Sequence, residues 1–237
     1  MSKRFIRHIL CTVLIISINK SLKKTTQLEL ACQQLVKLVI DPNPVALIVN
    51  SFFDSLNAFQ MNNIIDFVND LHERVNRLEE VSTVKFQIDE FTFKEEVLPI
   101  LHKVKDEIKT NKRKLYATFL AASIHPSSLN CSNKQIYLNY IEQLDYLSIY
   151  ILNHAEYECH EKKIAEKIGN KFSEEDIIVH LSQLYSLGLL DKISAVEYEK
   201  SHKRFGNIKL RHPEGVFLYK RNITGNKFLH FIAKGLS

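Results

Sequence analysis

A chain of 237 residues with only 6 glycines and 5 prolines has few places to turn tightly. Sandwiches and barrels built of many short strands need a turn about every 8–12 residues. The scarcity therefore points to long helices with short connections. With 45% apolar residues the chain can bury a sizeable core, which excludes wholesale disorder. The expectation is a mainly α protein. A helical bundle or hairpin occupies the N-terminal part, residues 1–126, and a smaller winged helix-turn-helix-like domain occupies 133–237.

Apolar periodicity sets the helices of the first part. Leu28, Leu30, Ala31, Leu35, Leu38 and Val39 predict a helix to Ile40, stopped by Asp41-Pro42-Asn43-Pro44, because proline removes a donor and disfavours the α conformation before it. A second helix starts near Pro44, and Val45–Phe53 is mostly apolar. Over residues 58–80, Ile64, Val68, Leu71, Val75 and Leu78 step by 4, 3, 4, 3, the spacing of a heptad seam. That seam is either core or a surface for a partner or a second copy. A third, longer helix is expected from Phe93 or Leu98 to about Ser123, along Val97, Leu101, Val104, Ile108, Leu115, Phe119 and Ala122. Asn111 falls on that line, where it either loosens the seam or breaks the helix. Two such helices with a short link predict an antiparallel pair. His125-Pro126-Ser127-Ser128 marks the domain boundary.

From Lys134 the order changes. One apolar helix is expected over Ile136–Leu152 and a short one over Glu161–Ile168, stopped by Gly169-Asn170. Ser173 with Asp176 reads as a capping box that starts a third helix, which ends at Gly188. A strand near Leu189-Leu190, a polar segment, a strand at Val216–Tyr219 and a last helix after Ile223 complete the order of a winged helix-turn-helix. Such units dock proteins as well as DNA.

Charge separates those uses. The total of +5 is spread unevenly: residues 1–24 carry six basic and no acidic residues, and 191–237 carry ten basic and four acidic, leaving 25–190 at −7. The third helix has Glu174, Glu175 and Asp176 at its start and no Lys or Arg, which is wrong for a groove-reading helix. The wing is the opposite. Lys203, Arg204, Lys209 and Arg211, with Lys220 and Arg221 nearby, form a candidate contact for nucleic acid or another polyanion. The same cluster fits an acidic protein partner or a solvated hairpin tip.

At the other end, Ile9–Ile18 is apolar after Lys3, Arg4 and Arg7. Ten residues are too few to span a bilayer as a helix, which takes about 20. Residues 5–18 fit a buried segment, a peripheral membrane attachment or a cleaved signal. Cys11, Cys32, Cys131 and Cys159 form no CxxC pair and match neither a disulfide framework nor a zinc site. Reduced thiols in a cytoplasmic protein are the expectation.

No glycine-rich phosphate loop, GxSxG or HExxH motif is present. His154, Cys159 and His160 have no usual zinc spacing. Glu95 and Glu96 are adjacent, so on a helix they point apart. No catalytic residue, cofactor or metal is expected, and the chain reads as non-enzymatic.

The segment NKRKLYATFLAASIHPSS, Asn111–Ser128, resembles the corresponding helix of the bacterial Abi-alpha family, with Arg113, Leu115, Ala117, Leu120 and Ala121 at matching positions and Tyr116 and Phe119 as similar apolar residues. The resemblance covers about the last 130 residues. It implies a helical body followed by a winged-helix-like end, and an association with abortive infection, a defence of bacteria against phage. It carries over no catalytic residue. Three functional expectations stand together: an interaction or sensor component acting through protein partners, a nucleic-acid-binding regulator using the wing, and a membrane-acting effector using residues 5–18.

Overall fold

The computed structural model describes residues 26–40, 42–82, 85–128, 131–156, 160–169, 172–197 and 216–235. The protein is mainly helical, with a single two-stranded sheet among the described residues. It divides into two compact units, Met1–Leu129 and Asn130–Leu236.

In the first unit, helix α1 covers 26–37 and buries Ala31 and Leu35. It stops short of the expected Ile40. Residues 38–40 instead pair with the segment after α3: Val39 bridges Ile88 in parallel, the Ile40 N–H donates to the Ile88 carbonyl at 3.0 Å, and the Ile88 N–H donates to that of Leu38 at 2.9 Å. These bonds satisfy backbone groups that the approaching prolines would leave unpaired. Helix α2 is Pro42–Asp54 and α3 is Ala58–Ser82. A reciprocal capping box starts α3: Asn57 Oδ1 accepts from the Gln60 N–H, and Gln60 Oε1 accepts from the Asn57 N–H.

The next helix begins earlier than expected, at Glu90, where the Asp89 carboxylate caps it by accepting the Thr92 N–H at 2.7 Å. It runs as α4 (Glu90–Thr92), a π-helical turn (Phe93–Val97) and α5 (Leu98–Val104). Pro99, with no N–H to give, sits just after the π turn, at the start of α5.

The long third helix of the sequence reading is in fact two. It breaks over 105–109 and resumes as α6, Thr110–Ile124, followed by a 3-10 turn at Pro126–Ser128. Ile108, expected on an apolar line, lies in the break and is 79% exposed. The break also changes the pairing. Asp66 near the start of α3 meets Arg113 near the start of α6, while Glu79 near the end of α3 holds the Phe86 N–H, and the Phe86 ring meets His125, just past the end of α6. Helices α3 and α6 therefore run in the same sense, and the antiparallel partner of α3 is the stretch that leads through α5 back to Lys105, whose carbonyl accepts from Asn63. Phe67, Phe93, Leu101 and Leu120 are buried in the core of this unit.

The second unit contains α7 (Lys134–Gln143), α8 (Tyr146–His154), α9 (Glu161–Lys167), α10 (Glu174–Ser186), strands β1 (Leu190–Ser194) and β2 (Phe217–Arg221), and α11 (Ile223–Ala233). The single apolar helix expected over Ile136–Leu152 is interrupted. Leu144 is extended, and Asp145 starts a new helix by accepting the Ser148 N–H at 2.8 Å. Ser173 caps α10 through the Asp176 N–H at 3.1 Å. Gly188, at φ +69°, ends it in the left-handed conformation that glycine adopts without cost. The strands pair antiparallel, Leu190 with Arg221 through Ser194 with Phe217. Asn222 caps α11 and also donates to the Gly188 carbonyl at 3.0 Å, which ties the last helix to the end of α10. Phe228, Ile141, Leu144, Ile151, Ile177 and Leu181 are buried here.

Among the described residues no helix is long and apolar enough to cross a membrane. Residues 5–18 lie outside the described residues.

Candidate functional site

Helix α10 carries the feature most suggestive of function. Ile177, Leu181 and Leu184 point into the core, at the 3- to 4-residue spacing of one helix face. Ile178 and Tyr185 flank that face and Val179 lies opposite it, and Ile178, Val179 and Tyr185 stand 42, 65 and 49% exposed. Glu174, Glu175 and Asp176 are exposed at its start, where carboxylates favour the positive end of the helix dipole. The solvent side of α10 thus exposes Ile178, Val179 and Tyr185 beside Ser182 and Ser186, and is acidic at its N-terminal end. Three successive apolar residues at 177–179 signalled this, since a helix cannot bury all three against one neighbour.

The hairpin extends that surface. Lys192 of β1 lies opposite Tyr219 of β2, so the adjacent Phe217 is its diagonal neighbour. The Lys192 ammonium lies 3.9 Å from the Phe217 ring centre, 5.8 Å from that of Tyr219 and 5.9 Å from that of Tyr185 on α10. Burial, with the Glu161 carboxylate second, raises the Tyr219 hydroxyl above its usual pKa. Tyr219 is therefore a neutral packing residue.

The other candidates fall differently. Lys203, Arg204, Lys209 and Arg211 lie outside the described residues. Lys220 is exposed on β2, opposite Asp191. Arg221 is committed to the fold: its guanidinium donates to the carbonyls of Leu152 and Asn153 at 3.4 and 3.2 Å and to Asn226. A cation over the last carbonyls of α8 is a helix-end interaction, so Arg221 is no free polyanion contact. The seam Ile64, Val68, Leu71, Val75 and Leu78 is wholly buried within the first unit. It serves the chain's own core, which corrects its reading as a partner or oligomer surface.

One cluster has the composition of a catalytic triad but not its geometry. Ser148 Oγ lies 2.8 Å from His180 Nδ1 and donates to Asp145 at 2.9 Å, and Asp145 lies 3.7 Å from the same Nδ1. A triad needs serine and carboxylate on opposite ring nitrogens and a reachable hydroxyl. Here both approach one nitrogen, and Ser148 is fully buried. The cluster fastens α8 to α10. His160 caps α9 through the Lys163 N–H. Cys32 borders an open hollow of about 480 Å³ with Glu29 and Asp54. Burial and then the Asp54 charge raise its pKa, the reverse of what activates a thiol. A second hollow of about 500 Å³, between α2 and α5, has His102 as its one titratable group, with its ring packed edge-on to Phe52. Among the described residues no group of three His, Cys, Asp or Glu is placed to hold a metal ion.

No family model matches this chain, and no curated protein or solved structure matches it.

Proposed function

We propose that this chain is a non-enzymatic interaction component of a bacterial phage-defence system, acting in the cytoplasm through a protein partner that docks on its second, winged-helix-like unit. One observation carries the docking part: the solvent face of α10, apolar through Ile178, Val179 and Tyr185 and acidic at Glu174, Glu175 and Asp176. Phosphates are repelled by such a face, whereas a protein surface with apolar and basic groups matches it. The defence part rests on the Abi-alpha resemblance of Asn111–Ser128. Arg113, Leu115, Tyr116, Ala117, Phe119, Leu120 and Ala121 are all buried in α6, so what is shared there is a packing helix.

The test is phage challenge of bacteria that express the protein. Wild type is expected to lower plating efficiency, and a variant with Ile178→Asp and Val179→Asp to lose that effect while keeping its fold. Changing Lys203, Arg204, Lys209 and Arg211 to glutamate is expected to leave protection intact. Protection that survives the α10 changes and is lost with the wing changes would move the function to nucleic-acid binding. No protection against any phage would remove the defence assignment.

A further inference from the structure

We infer that the partner engages α10 with a basic amphipathic helix. This deepens the docking reading above and rests on it. At about 1.5 Å per residue, α10 offers a stripe of roughly 20 Å. Glu175, Val179, Ser182 and Ser186 lie along one line of that helix, and Glu174, Ile178, Ser182 and Tyr185 along the next, by their spacing of three and four residues. Exposed Ser182 is small, so Val179 and Tyr185 stand above it on either side. They are about 9 Å apart along the axis and about 120° apart around it, so a partner helix would cross α10 obliquely over Ser182.

Charge sets the polarity. One end of the stripe holds the exposed carboxylates of Glu174, Glu175 and Asp176, the last already bonded to Ser173 at 2.8 Å. The other end holds the Lys192 ammonium, kept on aromatic faces 3.9 Å from the centre of Phe217 and 5.9 Å from that of Tyr185. A helix with apolar residues at i, i+3, i+4 and i+7, and with Lys or Arg at the end over Glu174 and Glu175, satisfies both the apolar stripe and the carboxylates. An acidic helix would bring like charges together there. A duplex would meet the carboxylates with its phosphates and leave the apolar residues without a counterpart.

The experiment uses the full chain and three fluorescent peptides of about five helical turns, some 18 residues. The first has leucines at the stated spacing and lysines on the rest of its first half. The second replaces those lysines with glutamate, and the third scrambles the order of the first. Anisotropy is followed for wild type, for Val179→Asp and for the Glu174→Lys, Glu175→Lys pair, with circular dichroism and urea midpoints confirming that these exposed changes leave the fold alone. The basic peptide is expected to bind, to weaken about tenfold or more in Val179→Asp, and to lose salt dependence in the lysine pair. Equal binding of the glutamate peptide, if lost in Val179→Asp, overturns the basic helix and leaves the docking reading standing. No binding of any peptide, with a labelled duplex bound instead, removes both. Self-association of wild type that Val179→Asp abolishes, seen by sedimentation, would make a second copy the occupant and overturn the proposal.

Discussion

The ammonium of Lys192 lies over the ring of Phe217, 3.9 Å from its centre, across the only strand pair among the described residues. The two side chains are diagonal neighbours in the register that sets Lys192 against Tyr219 and Ser194 against Phe217. A cation over an aromatic face at a partly exposed site is worth about 0.5–1 kcal/mol. A double-mutant cycle with Lys192→Met and Phe217→Leu, read by urea unfolding, is expected to return a coupling of about that size. A coupling of zero would mean that the lysine is held by solvent and not by the ring.

Arg113 holds the break between α5 and α6. It is 6% exposed and donates to the carbonyls of Glu107 and Ile108 at 2.9 and 3.2 Å, with Asp66 and Thr110 also within reach. Those carbonyls have no helical partner once the helix ends. Arg113→Met is expected to cost about 1–3 kcal/mol, since it removes two hydrogen bonds from a charged donor to part-buried carbonyls. Arg113→Lys is expected to recover only part of this, because an ammonium cannot span two carbonyls and a carboxylate as a planar fork does. Urea denaturation of the three forms checks the order.

This residue also shows what the sequence could not tell. Nothing local in Lys105–Lys109 forbids a helix, and the break there is held by Arg113, which donates to the carbonyls of Glu107 and Ile108 and reaches Asp66 on α3. A helix continued through that break would lie antiparallel to α3, whereas α6 runs in the same sense as α3. The break at Leu144-Asp145 was legible in principle, since Asp145 and Ser148 have the spacing of a cap, but the apolar run over Ile136–Leu152 masked it. The starts of α3 and α10, the turn at Gly188 and both strands were legible, because each lies within a few residues of a cap, a glycine or apolar β-forming residues such as Phe217 and Tyr219. The apolar residues of α10 were half legible: the sequence shows Ile178 and Tyr185 as apolar residues within the helix, but which of them faces water depends on where α8 and α9 pack. Of the polyanion cluster, Arg221 gives no local sign that it will turn back onto α8.

Gly225 tests the closeness of α11 to the end of α10. A Cβ there would press against the carbonyl oxygen of Leu189, inside contact distance, and the side chain of Arg221 stands close on the same side. The backbone oxygen cannot give way as a flexible side chain could. Gly225→Ala is therefore expected to destabilise by about 1–3 kcal/mol, although alanine is the better helix former by roughly 1 kcal/mol. A gain in urea midpoint would show that α11 packs more loosely than this.

Asp89 sets an acid limb. The Thr92 backbone N–H, and then the Thr92 hydroxyl, hold its carboxyl below the usual 3.8. A depressed carboxylate contributes stability that is present above its unfolded pKa and is lost as pH falls through the folded one. Thermal melts of wild type and Asp89→Asn, which can still cap but does not titrate, should therefore run parallel near neutrality. Their difference is expected to change as pH is lowered below about 4, the usual carboxylate range. A constant difference down to the acid end would place the acid sensitivity elsewhere.

Leu71 separates a core seam from an oligomer seam. It is 1% exposed, between Val68 and Val75 on the buried face of α3. Truncating such a leucine leaves a cavity and costs about 2–5 kcal/mol. If the seam bound a second copy, part of that cost would be loss of association and would grow with protein concentration by mass action. Because the seam faces its own unit, the loss on Leu71→Ala is expected to be the same at low and high micromolar protein. Urea unfolding of both forms across that range gives the answer. A concentration-dependent loss would mean that α3 leaves its own core to pair with another chain.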